Sequence, residues 1–292
     1  MGMDESGAPR ESLARKLQRI DRRILYMILF IVVGLPTIWP VNIPNAVDPM
    51  SRALWETIDR TPPGKVVLIS STWTKSTRGE NKGQEEAILH HLMSRRIPFV
   101  LSAFTPQGTQ VAQNLINEIA PLYHYRYGVD WISLGYQANA ASFVKGINVD
   151  FVQTVKQDSV EKKPLQSFPI MSKVRNIDDI HIVVEISASA SQMTWIQFNK
   201  PGIAVGFCPT SVMAPEAIPY CTSGQLAGML WGAKGAYDYE QLNAEHHIGR
   251  YASGRQYMGP LSAAFALVIL SIVVGNVAMF AERRANQGAG PR

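Results

Sequence analysis

Cysteine is scarce. Cys208 and Cys221 are the only two in 292 residues, which excludes a disulfide-stapled scaffold. The short motifs of several enzyme classes are also missing. No G-x-G-x-x-G or G-x-x-x-x-G-K-[ST] phosphate loop occurs, and no G-x-S-x-G nucleophile elbow. The pairs His90–His91 and His246–His247 are adjacent, whereas two imidazoles share a helix face only at i, i+4, so no metal site is expected. Asp130, Asp150, Asp158, Asp178 and Asp179 show no pairing in their spacing that suits acid–base work. No residue pattern argues for a flavin or any other cofactor, and none is expected.

Charge is thin as well, at 17% of residues, and its placement matters more than its sum of +5. Residues 1–40 carry six Lys or Arg against four Asp or Glu, and residues 259–292 carry three against one. Between them the chain is nearly neutral, 19 against 18. A nucleic-acid-binding domain needs a basic face on its folded part, so nucleic acid is not an expected partner.

What the chain does have is two apolar runs. "ILYMILFIVVGLPTIW" follows "RKLQRIDRR", and "MGPLSAAFALVILSIVVGNVAMFA" precedes "ERR". The second is long enough to cross a bilayer core of roughly 30 Å, and the first reaches that length only if "PVNIP" extends it. No A-x-A-like cleavage site follows the first, so it reads as an uncleaved signal anchor over 24–44 and the second as a span over 258–281. Basic residues outside both spans place the termini, 1–23 and 282–292, in the cytoplasm. The middle then lies outside it, with juxtamembrane linkers at 45–61 and 246–257. In that compartment Cys208 and Cys221 either pair or remain free thiols. Ser271 and Gly275, with Asn276 beside them, form a small-residue patch expected to contact another helix, through Gly34 of the first span or in another protein.

Over 62–245 the pattern alternates. Apolar runs at 65–71, 98–104, 129–136, 180–187 and 202–207 are separated by helical segments, with a polar excursion at 156–179. Strands such as "VVLI" are apolar without alternation, as in sheets buried on both faces. The expected fold is three-layer αβα with a mostly parallel, flavodoxin- or Rossmann-like sheet of about five strands, flanked by the two transmembrane helices.

Ligands of such sheets bind beyond the carboxyl ends of the strands, near the point where strand order reverses. Those ends are rich in hydroxyls and amides. With a flavodoxin-like order 2-1-3-4-5, Ser70, Ser71, Thr72, Gly135, Asn139, Ser187, Ser189 and Thr210 face one crevice, suited to a polar small molecule; helix capping is the competing role. Finally, Gly224, Gly228, Gly232 and Ala236 recur every fourth residue in "TSGQLAGMLWGAKGAYDYE", which reads as a last helix, 222–240, with a face open to close approach. The functional expectation is a membrane-anchored, non-enzymatic ligand-binding module or assembly subunit, in contact with the bilayer and with copies of itself or other membrane proteins. The alternative is a membrane-bound hydrolase or transferase using a strand-end serine or Cys208.

Overall fold

The computed structural model describes residues 21–39, 45–249 and 253–288. Most of the basic segment 1–23, the end of the expected first span at 40–44, residues 250–252 and the last four residues lie outside that description. The chain divides into two units, 44–255 and the pair 1–43 with 256–292.

The larger unit is a doubly wound α/β domain. Its strands are β1 (Val66–Ser71), β2 (Phe99–Ala103), β3 (Trp131–Tyr136), β4 (Ile180–Ser187), β5 (Ala204–Pro209) and β6 (Gly228–Met229), all parallel, in the order 3-2-1-4-5-6. This is the Rossmann order rather than the flavodoxin one, so the reversal falls between β1 and β4. Every residue of β1 and β2 is buried, as their unbroken apolar runs require when helices cover both faces.

One face of the sheet is covered by α2 (Pro49–Asp59), α3 (Arg78–Ser94), α4 (Pro106–Ile119) and, after β6, a further helix at Gly232–Glu245. The other is covered by α5 (Ala140–Ile147), α6 (Phe151–Thr154), turns within 165–179, α7 (Gln192–Phe198) and α8 (Ala214–Thr222). The helix at Gly232–Glu245 is α9. Local chemistry sets several starts: Asp48 caps α2 ahead of Pro49, Thr105 caps α4 ahead of Pro106, and Asn139 caps α5 by accepting from the Ser142 amide.

Two expectations change here. The stretch 45–61 is not a linker, because α2 buries Ser51, Leu54, Trp55 and Ile58, an i, i+3, i+4, i+7 stripe, within the domain. Residues 222–240 do not form one helix: α8 ends at Thr222, Gly224 turns at φ +76°, Gly228 lies in β6, and α9 begins at Gly232 with φ +61°. Close approach does occur at Gly228, where a Cβ would stand 2.4 Å from the Leu54 amide nitrogen of α2. Of the two states left open for Cys208 and Cys221, the structure has free thiols. Cys208 belongs to the core on the α3 face and Cys221 packs on the opposite face, so the sheet itself separates them.

The smaller unit holds α1 (Arg22–Ile38) and most of α10 (Ser253–Gly288). Within α10, Ser253–Ala281 is 29 residues long, its most apolar 18 residues have a mean hydropathy of 2.4, and it is long and apolar enough to cross a membrane. α1 has 17 residues, roughly 25 Å, short of a bilayer core. Among the described residues, Ser271 and Gly275 make no contact with Gly34 of α1, the first of the two partners expected for them. Gly34 and Gly275 face open space, Asn276 is exposed, and Ser271 Oγ donates to the Leu267 carbonyl of its own helix; Gly259 approaches Pro36 instead.

Candidate functional site

At the carboxyl end of the β1–β4 pair, successive residues point to opposite faces. Ser71 turns to the α3 side and Ser70 to the α7 side, and each finds a buried glutamate. On the α3 side, Ser71 Oγ donates to Glu85 Oε2 at 2.8 Å and the Trp73 indole N–H donates to the same oxygen. Glu85 is fully buried and its other oxygen, Oε1, has no hydrogen-bond partner among the described residues. Burial pushes its carboxyl up to about 7, against the pull of the Trp73 and Ser71 donors.

On the α7 side, Glu185 stands inside the apolar run of β4 directly beside Ser70 of β1. It accepts from Ser191 Oγ at 2.6 Å and from the Trp195 indole at 2.8 Å. Burial raises its pKa as well, the donors opposing. The reversal point is thus bracketed by two buried carboxyl groups, one on each face, each held by a tryptophan and a serine.

Ser70, Ser71, Thr72 and Ser187 are therefore brought together, but as buried supports rather than an open rim. Ser187 bonds with Ser189, which is exposed. Thr210 lines a crevice of about 430 Å³ with Thr77, Gly79, Glu80, Ala188 and Met213, across which Ser211 donates through both amide and hydroxyl to Glu80 at 2.7 Å. Gly135 and Asn139 do not join this group, since β3 lies at the far edge of the sheet beyond β2. Gly135 sits at φ +76° against Ser159, and Asn139 is occupied as a cap.

Beside Glu85 lies a second opening, about 270 Å³, lined by Trp73, Lys75, Arg78, Lys82, Val111, Asn114, Leu115 and Glu118. Sequence reading did not single out its basic residues, nor either glutamate. Glu185 had a visible signal, a carboxylate inside "IHIVVEIS"; Glu85, in a polar helical stretch, had none.

Chemistry by a strand-end nucleophile finds little support in this geometry. Cys208 is wholly buried and its thiol is raised well above the ordinary range by desolvation. No described histidine hydrogen-bonds to a strand-end serine or to Cys208. His90 pairs with Tyr123, and His91 with Tyr239 and Asp59. His91 and His246 both stack on Trp55, a core residue of the domain, at 4.7 and 4.2 Å. Compared with protein-family models, with curated proteins and with solved structures, the chain matches none.

Proposed function

We propose that this chain is a membrane-anchored α/β module, its domain held outside the cytoplasm, that binds a polar small molecule non-enzymatically beyond the carboxyl ends of its strands. The observation that carries the reading is the pairing of a 29-residue apolar helix with a doubly wound domain that opens cavities at β1, β4 and β5. Basic residues outside both apolar runs support the orientation. Assembly with further copies or with other membrane subunits is compatible with the exposed apolar faces of α1 and α10. A hydrolase or transferase reading has less behind it, because Ser70, Ser71 and Cys208 are buried and the exposed Ser189 hydroxyl is paired with Ser187 rather than with a described histidine.

Alkaline carbonate extraction and cysteine labelling test this. The full chain is expected to stay with the membrane pellet, and a Lys162→Cys variant to react with an impermeant maleimide added from outside. Release into the supernatant, or labelling only after the cytoplasmic side is opened, overturns it.

A further inference from the structure

The opening beside β1 has an electrostatic character that the rest of the rim lacks. Three cations and one carboxylate line it. Lys75 and Arg78 have no ion-pair partner among the described residues, and Lys82 lies only at 3.9 Å from Glu86. α3 begins at this point without a side-chain cap, since Thr77 turns its hydroxyl back to the Thr74 carbonyl, so the positive end of the helix adds to the field. Val111, Leu115 and Trp73 supply apolar wall. A volume of about 270 Å³ lies just under the range that takes drug-sized ligands, which favours a compact molecule.

Trp73 links this cavity to the interior. Trp73 is one of the residues lining the opening, and its indole N–H holds Glu85. An anion in the cavity and an ionised Glu85 are thus like charges separated by one residue, with little water between them to screen the repulsion. Protonating Glu85 removes it.

We propose that this cavity binds a compact anion bearing a carboxylate, sulfate or phosphate group, and takes it up together with a proton on Glu85. The assignment rests on the rim being a ligand site and names the ligand's class and its control. Glu85 titrates near neutral pH, so the proton is exchangeable under ordinary conditions. The titratable and charged groups on the elements around it are Arg78, Glu80, Lys82, Glu86, His90 and His91 of α3, Glu118 of α4, His181 and Glu185 of β4, Cys208 of β5, and Lys234, Tyr237, Asp238, Tyr239, Glu240 and Glu245 of α9. Burial keeps Cys208 and Tyr239 neutral and lowers both α3 histidines, His91 to about 4, while Glu185 answers to the opposite face of the sheet.

Calorimetry on the full chain in detergent micelles tests the idea with sulfate, oxalate and benzenesulfonate, whose charges do not change between about pH 6 and about pH 8. At least one is expected to bind saturably, and more tightly at about pH 6 than at about pH 8 by about fivefold to tenfold, the limit being the ratio of protonated Glu85 in the free chain at the two pH values. Glu85→Gln is expected to keep binding and lose the pH dependence, and Lys75→Ala with Arg78→Ala to weaken binding at least about tenfold. If Glu85→Gln does not fold, the wild-type chain in two buffers of different ionisation enthalpy decides: proton uptake near pH 7 supports the proposal, and none overturns it. PH dependence that survives in Glu85→Gln also overturns it. A chain that binds none of the anions but is thermally stabilised by a neutral polyol refutes the ligand class and leaves the rim reading standing. A chain stabilised by neither refutes both.

Discussion

Glu85 and His91 lie six residues apart on α3, and burial acts on them in opposite senses. The His91 imidazole is held neutral, down to about 4, between Asp59 and Tyr239. Between that value and the ordinary histidine range the unfolded chain binds the extra proton, so this group's contribution to stability grows as pH rises. Glu85 does the reverse. Its folded pKa, about 7, lies above the unfolded value of 4.5, so its contribution is complete below 4.5 and is lost as pH rises to about 7. A Glu85→Gln variant is therefore expected to gain on the wild type over that window by up to about 3 kcal/mol, and then to hold the difference constant. Urea unfolding at a series of pH values reads the difference directly. A gap between the two proteins that does not change with pH contradicts the assignment.

At the scale of elements, glycine at 228 is what lets α2 seal the β6 edge. A Cβ there meets the Leu54 amide at 2.4 Å and the Met50 carbonyl at 2.6 Å, both backbone atoms that cannot swing aside. Gly228→Ala is expected to cost about 1–3 kcal/mol by overpacking, and Gly228→Leu to prevent folding of the domain. Chemical denaturation and soluble yield measure the two. The four-residue spacing that suggested a helix over 222–240 arose from unrelated demands: positive φ at Gly224 and Gly232, and backbone contact at Gly228. Periodicity of small residues reports that something comes close, and does not say which secondary structure brings it there. The stripe Ser51, Leu54, Trp55 and Ile58 was, by contrast, open to reading in "PMSRALWETID", and was obscured by its position between an apolar run and the first strand.

For the molecule as a whole, α10 is the element long and apolar enough to cross a membrane, and the proposed anchoring depends on it. Val268 lies near the middle of Ser253–Ala281 and is exposed, as a lipid-facing residue is. Val268→Lys is expected to disfavour insertion by about 3 kcal/mol, seen as a shift from inserted to non-inserted product in a glycosylation-mapping assay. Unchanged insertion argues that α10 does not span.

Composition and local pattern by themselves determined the parallel α/β architecture, the positions of five strands and the apolar C-terminal helix, because burial on both faces and bilayer length each leave a contiguous trace along the chain. Strand order was decided only in three dimensions. A reversal between β1 and β4 rather than between β1 and β3 leaves no mark on either strand, yet it moved Gly135 and Asn139 out of the site and set Ser70 beside Glu185. The basic cavity and its buried carboxyl group belong to the same class of fact. Lys75, Arg78 and Lys82 read as ordinary surface charge until α4 closes over Trp73, and Glu85 as a solvated helix residue until the sheet strips its water away. Desolvation depends on what packs from elsewhere in the chain, so no local stretch of sequence carries it.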